Sequence, residues 1–169
     1  MGVSPPRRVV TGHDVSGRSV VLSEGPTPTS EEFATGAMFH EIWATSEVPL
    51  PIDSEEPSEP TARPLQVPPD AGGSIVHVID MPPGSGAPMH RTKSIDYGIV
   101  LSGEIDLELD DGSEVHLRSG DIVVQRATAH AWHNRSQSVT RMLFVMIDVE
   151  LSDELASTLG EAALAEILR

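Results

Sequence analysis

The sequence predicts an all-β protein: a small antiparallel β-barrel of jelly-roll type, with a β-arm before it and a short helix after it. Three observations carry this. Residues 105–109 and 114–118 alternate apolar and polar side chains on either side of Asp110-Asp111-Gly112, which is a hairpin signature. Residues 142–147 are apolar throughout, as expected of a strand buried on both faces. Short strands follow one another at close spacing between turn residues, the pattern of a sandwich or barrel.

Taken in order, residues 7–46 read as the arm. Arg8-Val9-Val10 and Ser19-Val20-Val21-Leu22 flank the turn His13-Asp14-Val15-Ser16-Gly17, and a further strand runs from Ala37 to Trp43. Between them GPTPTS with Glu31 and Glu32 reads as a loop entering a short helical turn. Residues 47–73 hold half of the 14 prolines together with Asp53, Glu55, Glu56 and Glu59. Proline removes ladder donors and carboxylates resist burial, so this is a solvated connection, a spacer or mobile link first and a lid second. Residues 74–149 form the barrel core. Ser74–Asp80 is a strand stopped by Pro82-Pro83-Gly84, and Ile122-Val123-Val124 is another. In the tail, Ser152 caps a helix over 152–168 whose Leu155, Leu159, Ala163 and Ile167 stripe packs on the barrel.

Composition excludes several functions. Among 169 residues, 26 are acidic and 11 basic, a formal net charge of −15. Like charges repel, so nucleic acid and anionic membrane surfaces are not the expected partners. The absence of cysteine removes disulfides, zinc–thiolate fingers and thiol nucleophiles. No apolar run reaches spanning length, MGVSPPRRVV lacks a signal-peptide core, and Pro6 blocks a myristoylation motif at Gly2. A cytoplasmic protein is expected.

Chemistry concentrates between Gly84 and Gly103. In an extended strand, residues two apart share a face, so His90, Thr92, Ser94 and Asp96 line one side. Later, His130, Trp132 and Asn134 share a parity, and His133 points away. Two imidazoles and a carboxylate brought together make a facial triad with open positions opposite. His77, on the preceding strand, aims at the same interior or is a half-buried strand histidine. Tyr97 is expected to pack. His13 and His116 are expected in solvent, and His40 in the core or an interface.

Residues 84–103 resemble the first conserved motif of the cupins: glycine, five residues, histidine, one residue, histidine, three or four residues, glutamate, six residues, glycine. Gly84, His90, Asp96 and Gly103 keep that spacing, while Thr92 replaces the second histidine and Asp96 the glutamate. Gly120–Asn134 is similar to the second motif; His130 and Asn134 keep its closing spacing, but Gln125-Arg126-Ala127-Thr128 replaces its proline–glycine turn. By this resemblance His90, Asp96 and His130 form a three-ligand shell for Fe, Mn, Zn or Ni and carry catalysis. Thr92, Ser94, His77, Trp132 and Asn134 contact a small-molecule ligand. Three readings stand open: a divalent metal acting as Lewis acid, metal-free acid–base catalysis, and a hydrogen-bonded cluster in a binding barrel. The implied function is a metalloenzyme (lyase, decarboxylase, isomerase, dehydratase, or dioxygenase) acting on an oxygenated metabolite, with a non-catalytic binding protein as the alternative. The resemblance also implies a homodimer in which the arm extends the partner's sheet, anchored by Phe39 and Trp43.

Overall fold

The computed structural model describes residues 4–52, 58–165 and 167–168. The arm is a two-stranded hairpin of β1 (Arg7–His13) and β2 (Ser19–Pro26). A six-stranded sheet follows with the order β10-β7-β12-β5-β4-β3. A five-stranded sheet, β13-β6-β11-β8-β9, packs against it. Their strands are β3 (Thr29–Glu32), β4 (Met38–Thr45), β5 (Ser74–Met81), β6 (Gly86–Thr92), β7 (Ser94–Ser102), β8 (Glu104–Leu109), β9 (Glu114–Arg118), β10 (Ile122–Arg126), β11 (His130–His133), β12 (Thr140–Asp148) and β13 (Ile167–Leu168). Helix α1 (Asp153–Ala165) precedes β13. Among the described residues no helix is long and apolar enough to cross a membrane.

The β8–β9 hairpin forms as its alternation predicts. Its connection is a three-residue loop closed by Leu109 N–H donating to Ser113 O at 2.9 Å, with Gly112 at φ 80° where a side chain would strain. Inward residues of both sheets make the core: Ile75, Val100, Met142 and Phe144 face Ile105, Leu107 and Trp132. β12 departs from the expected burial on both faces. Met142, Phe144 and Met146 are buried, whereas Leu143, Val145 and Ile147 lie half-buried on the sheet's outer face. Beside them on that outer face, Tyr97, Leu101, Ile122 and Val124 are exposed, so Tyr97 is not the packing residue its sequence context implies.

Three other expectations change. The loop before β4 contains a strand, β3, because Ser30 and Thr29 find distant partners: Ser30 Oγ–H donates to His40 Nδ1 at 2.7 Å and Thr29 Oγ1–H to Thr61 O at 2.6 Å. The tail is not one helix. Gly160 (φ 77°, ψ 166°) breaks α1, no α1 residue is buried, and the chain docks instead through buried Ile167, β13 running parallel to Arg91–Thr92 of β6. The described part of the proline-rich connection is tied down rather than loose. Arg63 pairs with the buried Glu41 of β4 at 2.9 Å, and Gln66 N–H donates to the same carboxylate at 3.3 Å. Residues 53–57 of that connection lie outside the described residues.

The arm is fixed to its own chain. Arg8 donates to Glu59 at 3.0 Å and to Ile42 O at 3.1 Å, with its guanidinium 5.5 Å from the Trp43 ring centroid. Phe39 turns inward against Phe33 and His77, and Trp43 is half-buried beside the Arg8 guanidinium. The Arg8 hydrogen bonds hold the Glu59 carboxyl down to about 2 from its ordinary 4.5. A depressed carboxyl stabilises the fold above its unfolded value, and that contribution is lost as pH falls from about 4.5 through about 2. Arg8→Ala is therefore expected to speed amide exchange in β1 and β2 at neutral pH and leave the barrel strands unchanged. Uniform acceleration throughout the barrel would contradict this anchoring.

Candidate functional site

Thr92 ends β6 in one sheet and Ser94 begins β7 in the other, so the chain crosses the barrel at Lys93. This crossing preserves the predicted parity: Thr92, Ser94 and Asp96 are all buried, while Tyr97 faces out. β6 and β11 pair antiparallel with His130 directly opposite His90, and their rings sit with centroids 4.3 Å apart. Side chains separated by 40 positions are thus joined by strand register alone. The opposite sheet contributes Asp96 from β7 and Gln125 from β10, themselves a cross-strand pair.

These groups line one cavity of about 70 Å³ between the sheets, together with His77, Thr92, Trp132 and Phe144. Its volume is about half that of the engineered ~150 Å³ cavity that admits benzene, so a compact molecule or one end of a longer one fits. Val67 of the proline-rich connection forms part of the wall, which gives that segment the position of a cover. Among the described residues, no arginine or lysine lines the cavity.

Hydrogen bonds fix the imidazoles. A carbonyl only accepts, so His90 Nδ1–H donates to Pro88 O at 2.7 Å and His130 Nδ1–H to Thr128 O at 2.9 Å. Each ring thereby offers Nε2 as its acceptor. His77 is fixed the other way, Nε2–H donating to Val67 O at 3.3 Å, so its acceptor is Nδ1. Burial, helped by the neighbouring His90, pushes His130 down to about 4, and burial pushes His77 to about 4 as well. Both rings are neutral at physiological pH. Burial raises Asp96 to about 6, opposed by the hydrogen bond it accepts from Ser94 Oγ–H. The cavity thus holds a carboxyl group poised near neutrality beside unprotonated imidazoles.

The other candidates separate. Trp132 forms a wall, edge-on to both His130 and Phe144. Ser94 supports Asp96 rather than lining the cavity. Asn134 stands outside it: Nδ2–H donates to Met81 O at 2.7 Å and Ser138 O at 2.8 Å, and Oδ1 accepts from Ser136, so its amide clamps a turn. His133 bonds Glu108 at the surface and His116 bonds Asp106. His40 is core, donating from Nε2 to Asp80 at 3.1 Å. Gln125 is the lining residue that sequence reasoning passed over. Its signal was parity with the half-buried Val123, hidden because the strand was ended at Val124.

A divalent ion would find the Nε2 lone pairs of His90 and His130 facing one space. Among the described residues, however, no three histidine, aspartate or glutamate side chains converge as a ligand set. Asp96 is engaged by Ser94, and burial works against its charged form. The donor set therefore fits two ligands of a metal and not the three-ligand shell expected from sequence.

Comparison with known proteins bears on what kind of molecule holds this cavity. The family profile described as "Cupin domain" matches residues 77–146. Over 150 residues the chain is 40% identical to the "Phomopsin biosynthesis cluster protein C'" of Diaporthe leptostromiformis, covering 86% of this chain and 79% of that protein. Over 157 residues it is 40% identical to the "Cupin-domain-containing oxidoreductase fogC" of Aspergillus ruber, covering 87% and 74%. Among solved structures, the Cnp3 cupin domain of Schizosaccharomyces pombe superposes with a TM-score of 0.53 at 13% identity, covering 92% of this chain and 96% of that one. At that identity the likeness speaks for the fold alone.

Proposed function

We propose a function that proceeds from one fact: this chain belongs to the cupin family. Its relatives bear the names of oxidoreductases and biosynthesis-cluster proteins, which supports an enzyme of small-molecule metabolism. In our reading the cavity between the sheets is the active site. The reaction class is proton transfer on an oxygenated metabolite, as in an isomerase, lyase or dehydratase.

The observation that carries this is Asp96, buried in a cavity with the neutral imidazoles of His77 and His130 and, among the described residues, no cation. A general base works best when its own proton affinity lies near the working pH, and burial has moved this carboxyl toward that range. The carboxylate takes a proton from the carbon beside a substrate carbonyl: the C–H bond breaks, an O–H bond forms on Asp96, and the electron pair passes to the carbonyl oxygen. Return of that proton from Asp96 to the former carbonyl carbon, with the neighbouring hydroxyl's proton passing to the former carbonyl oxygen, isomerises the substrate; return of it instead to a hydroxyl one carbon further on, which then leaves as water, dehydrates it. Nε2 of His90 or His130 accepts the hydrogen bond of the substrate's hydroxyl and orients it, the other ring being free for a second donor. Trp132 and Phe144 exclude water from the reacting carbon.

Exchange of solvent deuterium into hydroxyacetone, followed by proton NMR, tests this. Exchange is expected with native protein in the presence of a chelator. Exchange that needs added Fe, Mn, Zn or Ni would replace this reading with the metal-dependent one.

A homodimer belongs to the same proposal, by a different surface from the arm. Ile122 is 65% and Val124 52% exposed on the outer face of the six-stranded sheet, next to Tyr97 and Leu101. Such a contiguous apolar face on a chain of net charge −15 is where two copies can approach without acid opposing acid. Light scattering is expected to read twice the 18.1 kDa chain mass, and Ile122→Asp with Val124→Asp to return it to one. A native monomer at tens of micromolar would remove the dimer.

A further inference from the structure

We propose that Gln125 reads the substrate's carbonyl oxygen, and that the cavity selects an uncharged compound bearing both a carbonyl and a hydroxyl. This rests on the cavity being the active site and goes beyond it by naming what enters. Gln125 is 3% exposed, and neither its Nε2 nor its Oε1 has a hydrogen-bond partner. Buried amide atoms are almost always paired, and Asn134, the other buried amide beside the barrel, uses both ends. A glutamine that packs for structure would be tied in the same way. Gln125 instead lines the cavity from β10, directly across the strand pair from Asp96.

The inventory of the lining says what would satisfy it. His90 and His130 each offer an Nε2 acceptor. His77 offers Nδ1, which is itself buried without a partner, and Asp96 offers a carboxylate. Against these acceptors stand few donors, the Gln125 amide and the Thr92 hydroxyl. A ligand must therefore bring O–H or N–H donors for the imidazoles and one acceptor for the Gln125 N–H. A carboxylate or phosphate would bring only acceptors and negative charge to a site that faces Asp96 and has no lysine or arginine among the described residues. A hydroxyl donating to one imidazole together with a carbonyl accepting from Gln125 N–H meets one demand of each kind, and further hydroxyls would meet the remaining acceptors. Gln125 N–H at the carbonyl oxygen would also hold the electron pair that Asp96 displaces when it removes the neighbouring proton.

Three probes of similar size separate these demands: hydroxyacetone has both groups, propane-1,2-diol lacks the carbonyl, and lactate carries a charge. NMR titration of the native protein is expected to show saturable binding of hydroxyacetone, with diol and lactate at least tenfold weaker. Gln125→Met keeps the side chain's shape and removes both stranded polar atoms. It is expected to weaken hydroxyacetone at least tenfold, leave the diol nearly unchanged, and melt about 2–4 °C higher than native protein. The proposal is overturned by lactate binding as tightly as hydroxyacetone, by unchanged hydroxyacetone binding in Gln125→Met, by a lower melting temperature for that variant, or by no saturation with any probe. Deuterium exchange into hydroxyacetone separates this from the reading beneath it. Exchange retained without Gln125-dependent selectivity removes this proposal alone, and selectivity without exchange removes the acid–base reading alone.

Discussion

Asp96→Asn is expected to lower deuterium exchange into hydroxyacetone by about 10²–10⁴-fold, the contribution of a positioned general base. The amide keeps the size of the carboxyl and still accepts from Ser94 Oγ–H, so the barrel has no reason to rearrange. The remaining rate in native protein should follow ionisation of Asp96, rising with pH through about 6. The groups facing this carboxyl across the cavity are His77, His90 and His130. His77 and His130 lie near 4, below that range, and among the described residues no lysine or arginine lines the site to shift it.

Stability should move the opposite way. The folded state holds the Asp96 proton more tightly than the unfolded state, whose ordinary value is 3.8. Ionisation therefore costs stability: nothing below about 3.8, increasingly up to about 6, and in full above it. Removing the ionisable group should stabilise the protein by as much as about 3 kcal/mol at pH 7.5 and little at pH 3.5, read by chemical denaturation. A slower enzyme that is also more stable at neutral pH is what a buried catalytic carboxyl predicts. Loss of stability at neutral pH would mean that Asp96 is a structural carboxylate, ionised and paired.

Arg141→Met is expected to cost about 3–5 kcal/mol, the largest stability loss of any single change considered. Asp80 is buried at 3% exposure, and Arg141 grips it through Nε and Nη2, both at 2.7 Å. His40, fully enclosed, donates to the same carboxylate. Removing the guanidinium leaves the buried Asp80 carboxylate with His40 as its remaining side-chain partner among the described residues. The cost is mainly that of the stranded charge, which gives the test its second arm. Asp80→Leu combined with Arg141→Met should recover most of the loss, because neither charge then has to be desolvated. A single variant within about 1 kcal/mol of native protein, by urea denaturation, would place this pair among ordinary surface ion pairs.

What could be read from the chain alone follows the range of the forces involved. The alternation in 105–109 and 114–118 is a local consequence of which face meets water, and so is the shared parity of Thr92, Ser94 and Asp96. Both survive in the structure because burial on one face fixes register. The meeting of His90 with His130 was legible only through family resemblance, since nothing local to either residue sets the pairing of β6 with β11. Elements that depend wholly on distant partners were lost. Thr29–Glu32 is too polar to look like a strand, and it becomes one through Thr61 and His40. Ile167 looked like the end of a helical stripe, but a break at Gly160 sends it to pair with β6. The proline-rich connection looked unattached because its anchors, Glu41 and Arg8, are recognisable only once β1 and β4 are in place. Gln125 escapes for a simpler reason: a strand ended two residues early, at Val124 instead of Arg126, hides the side chain that follows.

Long-range ¹H–¹⁵N correlation spectra of the histidine rings, recorded while hydroxyacetone is added, put the geometry to its most direct trial. His90 and His130 should carry their protons on Nδ1 and His77 on Nε2, and the unprotonated Nε2 resonances of His90 and His130 should shift together with a single saturation curve. Protons on Nε2 of either ring, or one resonance moving while the other stays fixed, would show that the two imidazoles do not share a ligand.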